Sequence, residues 1–132
     1  MRLFLDTSAI LALLIKNDQH HDRAVAFLER SARARFTLTE LILSEVVTRV
    51  RARTNADLAV DAARRLMSSR RHSVVFMDAE LLEQGLVQMA RFKDKQLSLT
   101  DAVSFAAMNR FELDTAFSFD RDFRDCGFRM VP

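Results

Sequence analysis

The chain of 132 residues has the length of one domain, and its 49% hydrophobic content indicates a folded globular protein rather than a disordered one. Two glycines and one proline favour a helix-rich fold over an all-β sandwich, and a single cysteine, Cys126, excludes an internal disulfide framework and is typical of a reducing cytoplasm. The net charge of +2 is compatible with nucleic-acid binding without indicating it, and no apolar run reaches the roughly 18 residues that a membrane span needs.

Short β-rich runs alternate with longer amphipathic stretches along the whole chain. In chain order, the patterns predict a strand at 2–5, helices at 8–16 and 20–33, a strand at 35–38, helices at 39–53 and 55–69, a strand at 73–77, helices at 78–93 and 98–111, and strands at 115–119 and 128–131. This alternation predicts a single α/β domain over 1–132, with a twisted, mostly parallel sheet of about four to five short strands between layers of helices.

Three of the predicted helices carry capping signals at their start. Thr37 and Glu40 have the spacing of a capping box before the helix at 39–53. Asn55 is the expected cap of the helix at 55–69, and either Ser98 or Thr100 that of the helix at 98–111.

Four acidic residues stand in apolar surroundings at positions that a parallel sheet would bring together. Asp6 ends the first strand and Asp120 follows a later one, so both belong at the carboxyl edge of the sheet. Glu45 and Asp101 lie near helix starts, which meet the same edge in βα units. Taken singly, each has a structural explanation: Asp6 could cap a helix, Glu45 could pair with Arg49, Asp101 could complement a helix dipole, and Asp120 could start a turn.

Four carboxylates converging at one edge would repel one another unless a cation compensates their charge. Mg²⁺ or Mn²⁺ suits such a set of oxygen ligands, and the absence of histidine from these positions argues against Zn²⁺. Bound divalent cations can activate a water and orient a phosphodiester. An aspartyl phosphatase would instead need a second acid where Ser8 stands.

Four segments carry the resemblance to a known family: "LDTSAI" at 5–10, "SEVVTR" at 44–49, "TDAVSFAA" at 100–107 and "FSFDRDF" at 117–123. Together they resemble the acidic motifs of PIN-domain ribonucleases, and the length and order resemble the VapC-type toxins of bacterial toxin–antitoxin pairs. The resemblance implies a PIN-like three-layer fold and a cytoplasmic endoribonuclease, dependent on Mg²⁺ or Mn²⁺, that cleaves cellular RNA through a metal-activated water. It also implies a homodimer and a cognate antitoxin.

The resemblance assigns site residues position by position. It implies that Asp6, Glu45, Asp101 and Asp120 are the catalytic, metal-binding acids, and that the hydroxyls of Ser8 and Ser118 support them. The segment "DRDF" offers a second acid, Asp122, which we place beside the ligands rather than among them. Asp114 precedes the same strand, belongs at the opposite edge of the sheet, and is not expected to be catalytic.

Several alternatives stay open on the sequence alone. Arg49, Arg51 and Arg53 are candidates for binding RNA phosphates, but a solvated helix face explains them equally well. The same motifs also fit a PIN-type nuclease of RNA processing or DNA repair that has no antitoxin. A non-catalytic nucleic-acid-binding module of the same fold is disfavoured because all four acids are present.

Overall fold

The computed structural model describes every residue from Met1 to Pro132, and it contains five strands and seven helices. The strands are β1 (Arg2–Leu5), β2 (Arg35–Thr39), β3 (His72–Val75), β4 (Thr115–Phe117) and β5 (Arg129–Val131). The helices are α1 (Thr7–Leu14), α2 (His21–Arg30), α3 (Glu40–Arg53), α4 (Ala56–Ser68), α5 (Ala79–Arg91), α6 (Leu99–Arg110) and α7 (Asp122–Asp125). The α/β class predicted from the sequence is confirmed.

All five strands are parallel and form one sheet in the order β3-β2-β1-β4-β5. Strand β1 is central, and its Phe4 pairs with Thr37 of β2 on one side and with Ala116 of β4 on the other. The chain leaves β1 toward β2 first and returns later to β4, so the strand order reverses between β1 and β4. In open α/β sheets, ligands bind in the crevice beyond the carboxyl ends of the strands at such a reversal.

Helices cover both faces of the sheet, which explains why the central strands are apolar on both sides. Leu5, Phe36 and Phe117 face a layer formed by α1, α2 and α4. Phe4 points to the opposite face, where its ring centroid lies 6.0 Å from that of Phe123 on α7. None of the helices is both long enough and apolar enough to span a bilayer.

Helix α5 packs closely on α6, and a glycine permits the approach. A Cβ atom added to Gly85 would lie only 2.5 Å from Cγ2 of Val103, which is fully buried on α6. Any larger residue at this position would therefore push the two helices apart. The contact matters for function because α6 begins with one of the predicted acids.

The predicted capping box at Thr37 and Glu40 is wrong. Thr37 belongs to strand β2, and the cap of α3 is Thr39, whose hydroxyl accepts a hydrogen bond from the Ile42 N–H at 3.2 Å. The Glu40 carboxylate instead accepts the N–H of Met77 at 2.7 Å. The Glu40 side chain therefore makes a tertiary contact instead of the capping contact that the local spacing predicted. Asn55 does cap α4, as predicted.

The predicted strand at 115–119 ends two residues early, at Phe117. The N–H of Phe119 donates to the Ser8 hydroxyl at 2.9 Å, and the N–H of Asp120 donates to the Ser118 hydroxyl at 3.0 Å. Because side chains take these backbone donors, they do not continue the sheet ladder. Helix α7, which follows, was not predicted.

Candidate active site

Asp6 forms the floor of the candidate site, at the junction of β1 and α1. Its side chain is buried, and its Oδ2 accepts hydrogen bonds from the Ser8 hydroxyl at 2.6 Å and the Ser118 hydroxyl at 2.8 Å. The Ser8 N–H also donates to Oδ2, at 3.3 Å, so Asp6 caps α1 as well. The structural explanation of Asp6 as a cap and its position in the site therefore both hold.

A chain of hydrogen bonds joins the two segments that leave β1 and β4. As described above, Ser8 and Ser118 each accept a backbone N–H of the second segment while donating to Asp6. The chain continues to Asp120, whose Oδ1 accepts the N–H of Asp122 at 2.9 Å. The supporting hydroxyls predicted from the sequence thus hold the two segments together, and they fix the acid that follows β4.

Asp101 reaches the site from the first turn of α6. Ser98 caps this helix through a capping box: its hydroxyl accepts the Asp101 N–H at 3.1 Å, and the Asp101 carboxylate accepts the Ser98 N–H at 3.4 Å. Of the two caps considered from the sequence, the structure selects Ser98. The cap holds the Asp101 carboxylate at the positive end of the helix dipole.

The four predicted acids line one polar cleft of about 210 Å³ that has no hydrophobic residue in its wall. Its lining consists of Asp6, Thr7, Ser8, Glu45, Arg49, Gln96, Ser98, Asp101 and Asp120. Glu45 is partly exposed, and its Oε1 lies 3.9 Å from a terminal nitrogen of Arg49, so the ion pair considered from the sequence also forms. Arg49 lines the cleft, whereas Arg51 and Arg53 lie outside it on the exposed end of α3.

Three acids come closer together than the rest. One carboxylate oxygen from each of Asp101, Asp120 and Asp122 lies within 4.8 Å of the others, close enough to share a cation; we call these residues the aspartate trio. Asp6 and Glu45 line the same cleft outside the trio. The structure thus places Asp122 nearer to the predicted ligands than the sequence indicated. Asp114 is exposed at the opposite edge, as expected, and accepts the Thr115 hydroxyl at 2.7 Å.

Burial and mutual repulsion shift the titration of two of these acids. Burial raises the pKa of Asp6, although hydrogen bonds from Ser8 and Ser118 oppose the shift. Burial, followed by the charges of Asp6 and Asp120, raises the pKa of Asp101 to about 6. The cleft therefore holds more negative charge than its surroundings compensate. Its carboxylate oxygens are ligands for a hard cation such as Mg²⁺ or Mn²⁺, and no histidine or cysteine lines it.

The raised pKa of Asp101 predicts how the stability of the metal-free protein changes with pH. The Asp101 carboxyl loses its proton near pH 3.8 in the unfolded chain and near pH 6 in the folded protein. Between these values the folded state binds the proton more strongly than the unfolded state, so the free energy of unfolding falls as pH rises through the interval. We expect the melting temperature of the wild type, relative to that of Asp101→Asn, to fall between pH 4.5 and 7.5 in EDTA.

Differential scanning fluorimetry of both proteins across this pH range tests the expectation. The comparison with Asp101→Asn is needed because burial lowers the pKa of His72, which shifts stability with pH in the opposite direction. Saturating Mn²⁺ at pH 7.5 should raise the melting temperature of the wild type by more than that of the variant. If the difference in melting temperature between the wild type and Asp101→Asn stayed constant with pH, the pKa of Asp101 would not be raised in the folded protein.

Sequence reasoning missed two residues near the site, Lys95 and Gln96. Gln96 lines the cleft, and the Lys95 ammonium lies 3.3 Å from Oδ1 of Asp122. The only local signal for them was their position just before the cap of α6. Their contacts arise from tertiary packing, which no local spacing encodes.

Comparisons with known proteins agree with this fold. The profile of the PIN domain matches residues 3–129. The chain is 31% identical over 126 residues to the 23S rRNA-specific endonuclease VapC20 of Mycobacterium tuberculosis, a match that covers 96% of this chain and 95% of the relative. The crystal structure of VapC20, described as a sarcin–ricin loop cleaving toxin, superposes with a TM-score of 0.86 over the same shares of the two chains.

A more distant structure shares the fold alone. The VapBC2 complex of Rickettsia felis, bound to a DNA fragment from its promoter, superposes with a TM-score of 0.73 at 13% identity, covering 98% of this chain and 97% of the other. The family profile spans nearly all of the sequence, and the likeness to VapC20 extends over nearly the full length of both proteins. This chain therefore belongs to the PIN-domain family, among its VapC-type members.

Proposed function

We propose that this protein is a metal-dependent endoribonuclease and the toxin component of a type II toxin–antitoxin pair. The observation that carries the proposal is the cleft that unites Asp6, Glu45, Asp101 and Asp120, the last two of which also belong to the aspartate trio. A site of this composition needs a hard divalent cation, and the polar wall suits a phosphodiester. The likeness to VapC20, named as an rRNA endonuclease, supports RNA as the substrate.

The residues of the cleft fit Mg²⁺ or Mn²⁺. We assign the ion to the carboxylates of Asp101 and Asp120, with Asp6 and Glu45 completing the acidic wall. These carboxylates would hold the ion, which would supply the activation of a water and the neutralisation of charge at the phosphate. No histidine lines the cleft, so neither serine hydroxyl that bonds Asp6 has an imidazole base there to activate it as a nucleophile.

The protein's own contribution is positioning. Ser8 and Ser118 hold the Asp6 carboxylate in one orientation, and the capping box does the same for Asp101. Such preorganised groups act without reorganising during the reaction, which is why they accelerate it. Arg49 at the rim is placed to bind a phosphate of the RNA backbone. Arg51 and Arg53 continue the same helix and extend this basic surface to more distant phosphates.

The partners follow from the VapC-type family membership. We propose a cognate antitoxin that blocks the cleft, a homodimer, and structured cellular RNA in the cytoplasm as the target. Exposed apolar side chains are available for protein contacts: Leu14 on α1 is 46% exposed and Leu58 on α4 is 51% exposed. Apolar patches of this kind mark interaction surfaces when they are contiguous.

Incubation of the purified protein with total cellular RNA tests the proposal. We expect discrete fragments in Mg²⁺ or Mn²⁺ and none in EDTA, and sequencing of their ends identifies the cut site. Restoring the metal after EDTA treatment should restore cleavage, which separates metal dependence from damage to the protein. Metal-independent cleavage, or none at all by a folded protein in the presence of metal, would overturn the proposal.

A further inference from the structure

A lysine outside the cleft contacts one member of the aspartate trio. Lys95 lies in the loop between α5 and α6, and its Nζ is 2.8 Å from Oδ2 of Asp125 and 3.3 Å from Oδ1 of Asp122. The hydrogen bonds that the Lys95 ammonium donates to these two carboxylates raise the pKa of Lys95, the one to Asp125 most strongly. The ammonium is therefore charged throughout the physiological pH range.

The position of this charge sets it against a metal ion. Asp122 contributes to the trio, so Lys95 bonds to one of the three carboxylates that could share a cation. Asp125 holds the ammonium from the other side and lies on the same short helix as Asp122. A divalent ion at the trio would therefore meet a positive charge that two carboxylates hold beside it.

We propose that Lys95 is a positioning residue that keeps Asp122 out of the metal's ligand set and weakens the binding of divalent cations at the trio. This proposal rests on the proposed function, because it takes the trio as part of a metal site. At separations on the order of 7 Å in a water-like dielectric, a unit and a double positive charge repel enough to change a binding constant about tenfold. The same ammonium offsets part of the negative charge of Asp122 and Asp125 when no metal is bound.

Weak binding has a functional consequence at this site. Magnesium is commonly held by one or two carboxylates together with phosphate oxygens of the substrate. With Asp122 occupied by Lys95, Asp101 and Asp120 remain as the ligands from the trio, and the RNA phosphate supplies the missing oxygens. Lys95 thus makes firm metal binding depend on the presence of substrate.

Calorimetric titration with Mn²⁺ tests the proposal without measuring activity. We expect Lys95→Gln to bind Mn²⁺ about tenfold more tightly than the wild type at low ionic strength. Lys95→Arg keeps the charge and should bind within about twofold of the wild type. The matched control is Lys93→Gln, which removes an exposed lysine two residues away that makes no ion pair, and its affinity should be unchanged.

The sign of the effect separates this role from a merely structural one. Loss of a structural contact would loosen the trio and weaken Mn²⁺ binding, so equal or weaker binding by Lys95→Gln overturns the proposal. Thermal melts of all variants establish that they are folded, since a partly exposed ion pair contributes only about 0–1 kcal/mol. Equal binding by the wild type and Asp101→Asn would instead overturn the proposed metal site itself, and this inference with it.

Discussion

Asparagine in place of Asp101 is expected to lower the rate of RNA cleavage by about 10²–10³-fold or more while leaving the protein folded. Like Asp120, Asp101 belongs both to the polar cleft and to the aspartate trio. A neutral amide is a poorer ligand for a hard cation than a carboxylate, so the cation that would neutralise charge at the reacting phosphate is held less firmly. The rate constant for cleavage of a defined RNA in saturating Mn²⁺ measures the loss.

The fold should survive this change, and the metal-free protein should become more stable at neutral pH. The asparagine side chain retains an oxygen that can accept the Ser98 N–H, so the capping box of α6 can persist. The substitution also removes a carboxylate whose pKa of about 6 reflects burial and repulsion by Asp6 and Asp120. The melting temperature in EDTA at pH 7.5 should therefore equal or exceed that of the wild type.

The control for this variant is Asp114→Asn, at the opposite edge of the sheet. Asp114 is exposed and its side chain bonds only the hydroxyl of the neighbouring Thr115, so its replacement by asparagine should change neither cleavage nor metal binding. An active Asp101→Asn protein, or one that is unfolded in EDTA, would show that Asp101 does not have the role assigned to it. Equal losses in both variants would point to a general effect of charge rather than to the site.

The sequence predicted the site because its acids occupy simple positions relative to strands and helices. Asp6 and Asp120 follow parallel strands, and the geometry of such a sheet alone places them at one edge. Ser8 and Ser118 were assigned supporting roles by family resemblance, and the structure gives each a hydrogen bond to Asp6. These inferences depend on strand direction and on motif identity, both of which can be recognised from short segments of the sequence.

The remaining features depend on contacts between distant segments. Helix α7 has only four residues, too few to show a helical period, so the approach of Asp122 to the site was hidden. The contact between Lys95 and Asp122 joins residues 27 positions apart. Glu40 has the spacing of a local cap but bonds Met77 across the fold. In each case tertiary packing, rather than local propensity, decides the partner.

Replacement of Phe123 by alanine should cost about 3–5 kcal/mol of the free energy of unfolding, a large share of the roughly 5–15 kcal/mol of a typical domain. Phe123 is fully buried, and its ring centroid lies 5.1 Å from that of Phe105 on α6 and 6.0 Å from that of Phe4 on β1. It is the side chain that anchors α7 to the core. Urea denaturation followed by circular dichroism measures the change.

The same substitution should also lower cleavage in the fraction of molecules that remain folded. Phe123 is adjacent to Asp122, and Phe105 lies one turn beyond Asp101 on α6, so their contact fixes the distance between two members of the trio. The control is Phe76→Ala, because Phe76 is 60% exposed and its loss should leave stability and cleavage nearly unchanged. Cleavage is compared at a temperature where both variants are folded. Wild-type activity in a destabilised Phe123→Ala protein would mean that cleavage does not depend on the anchoring of α7 to the core.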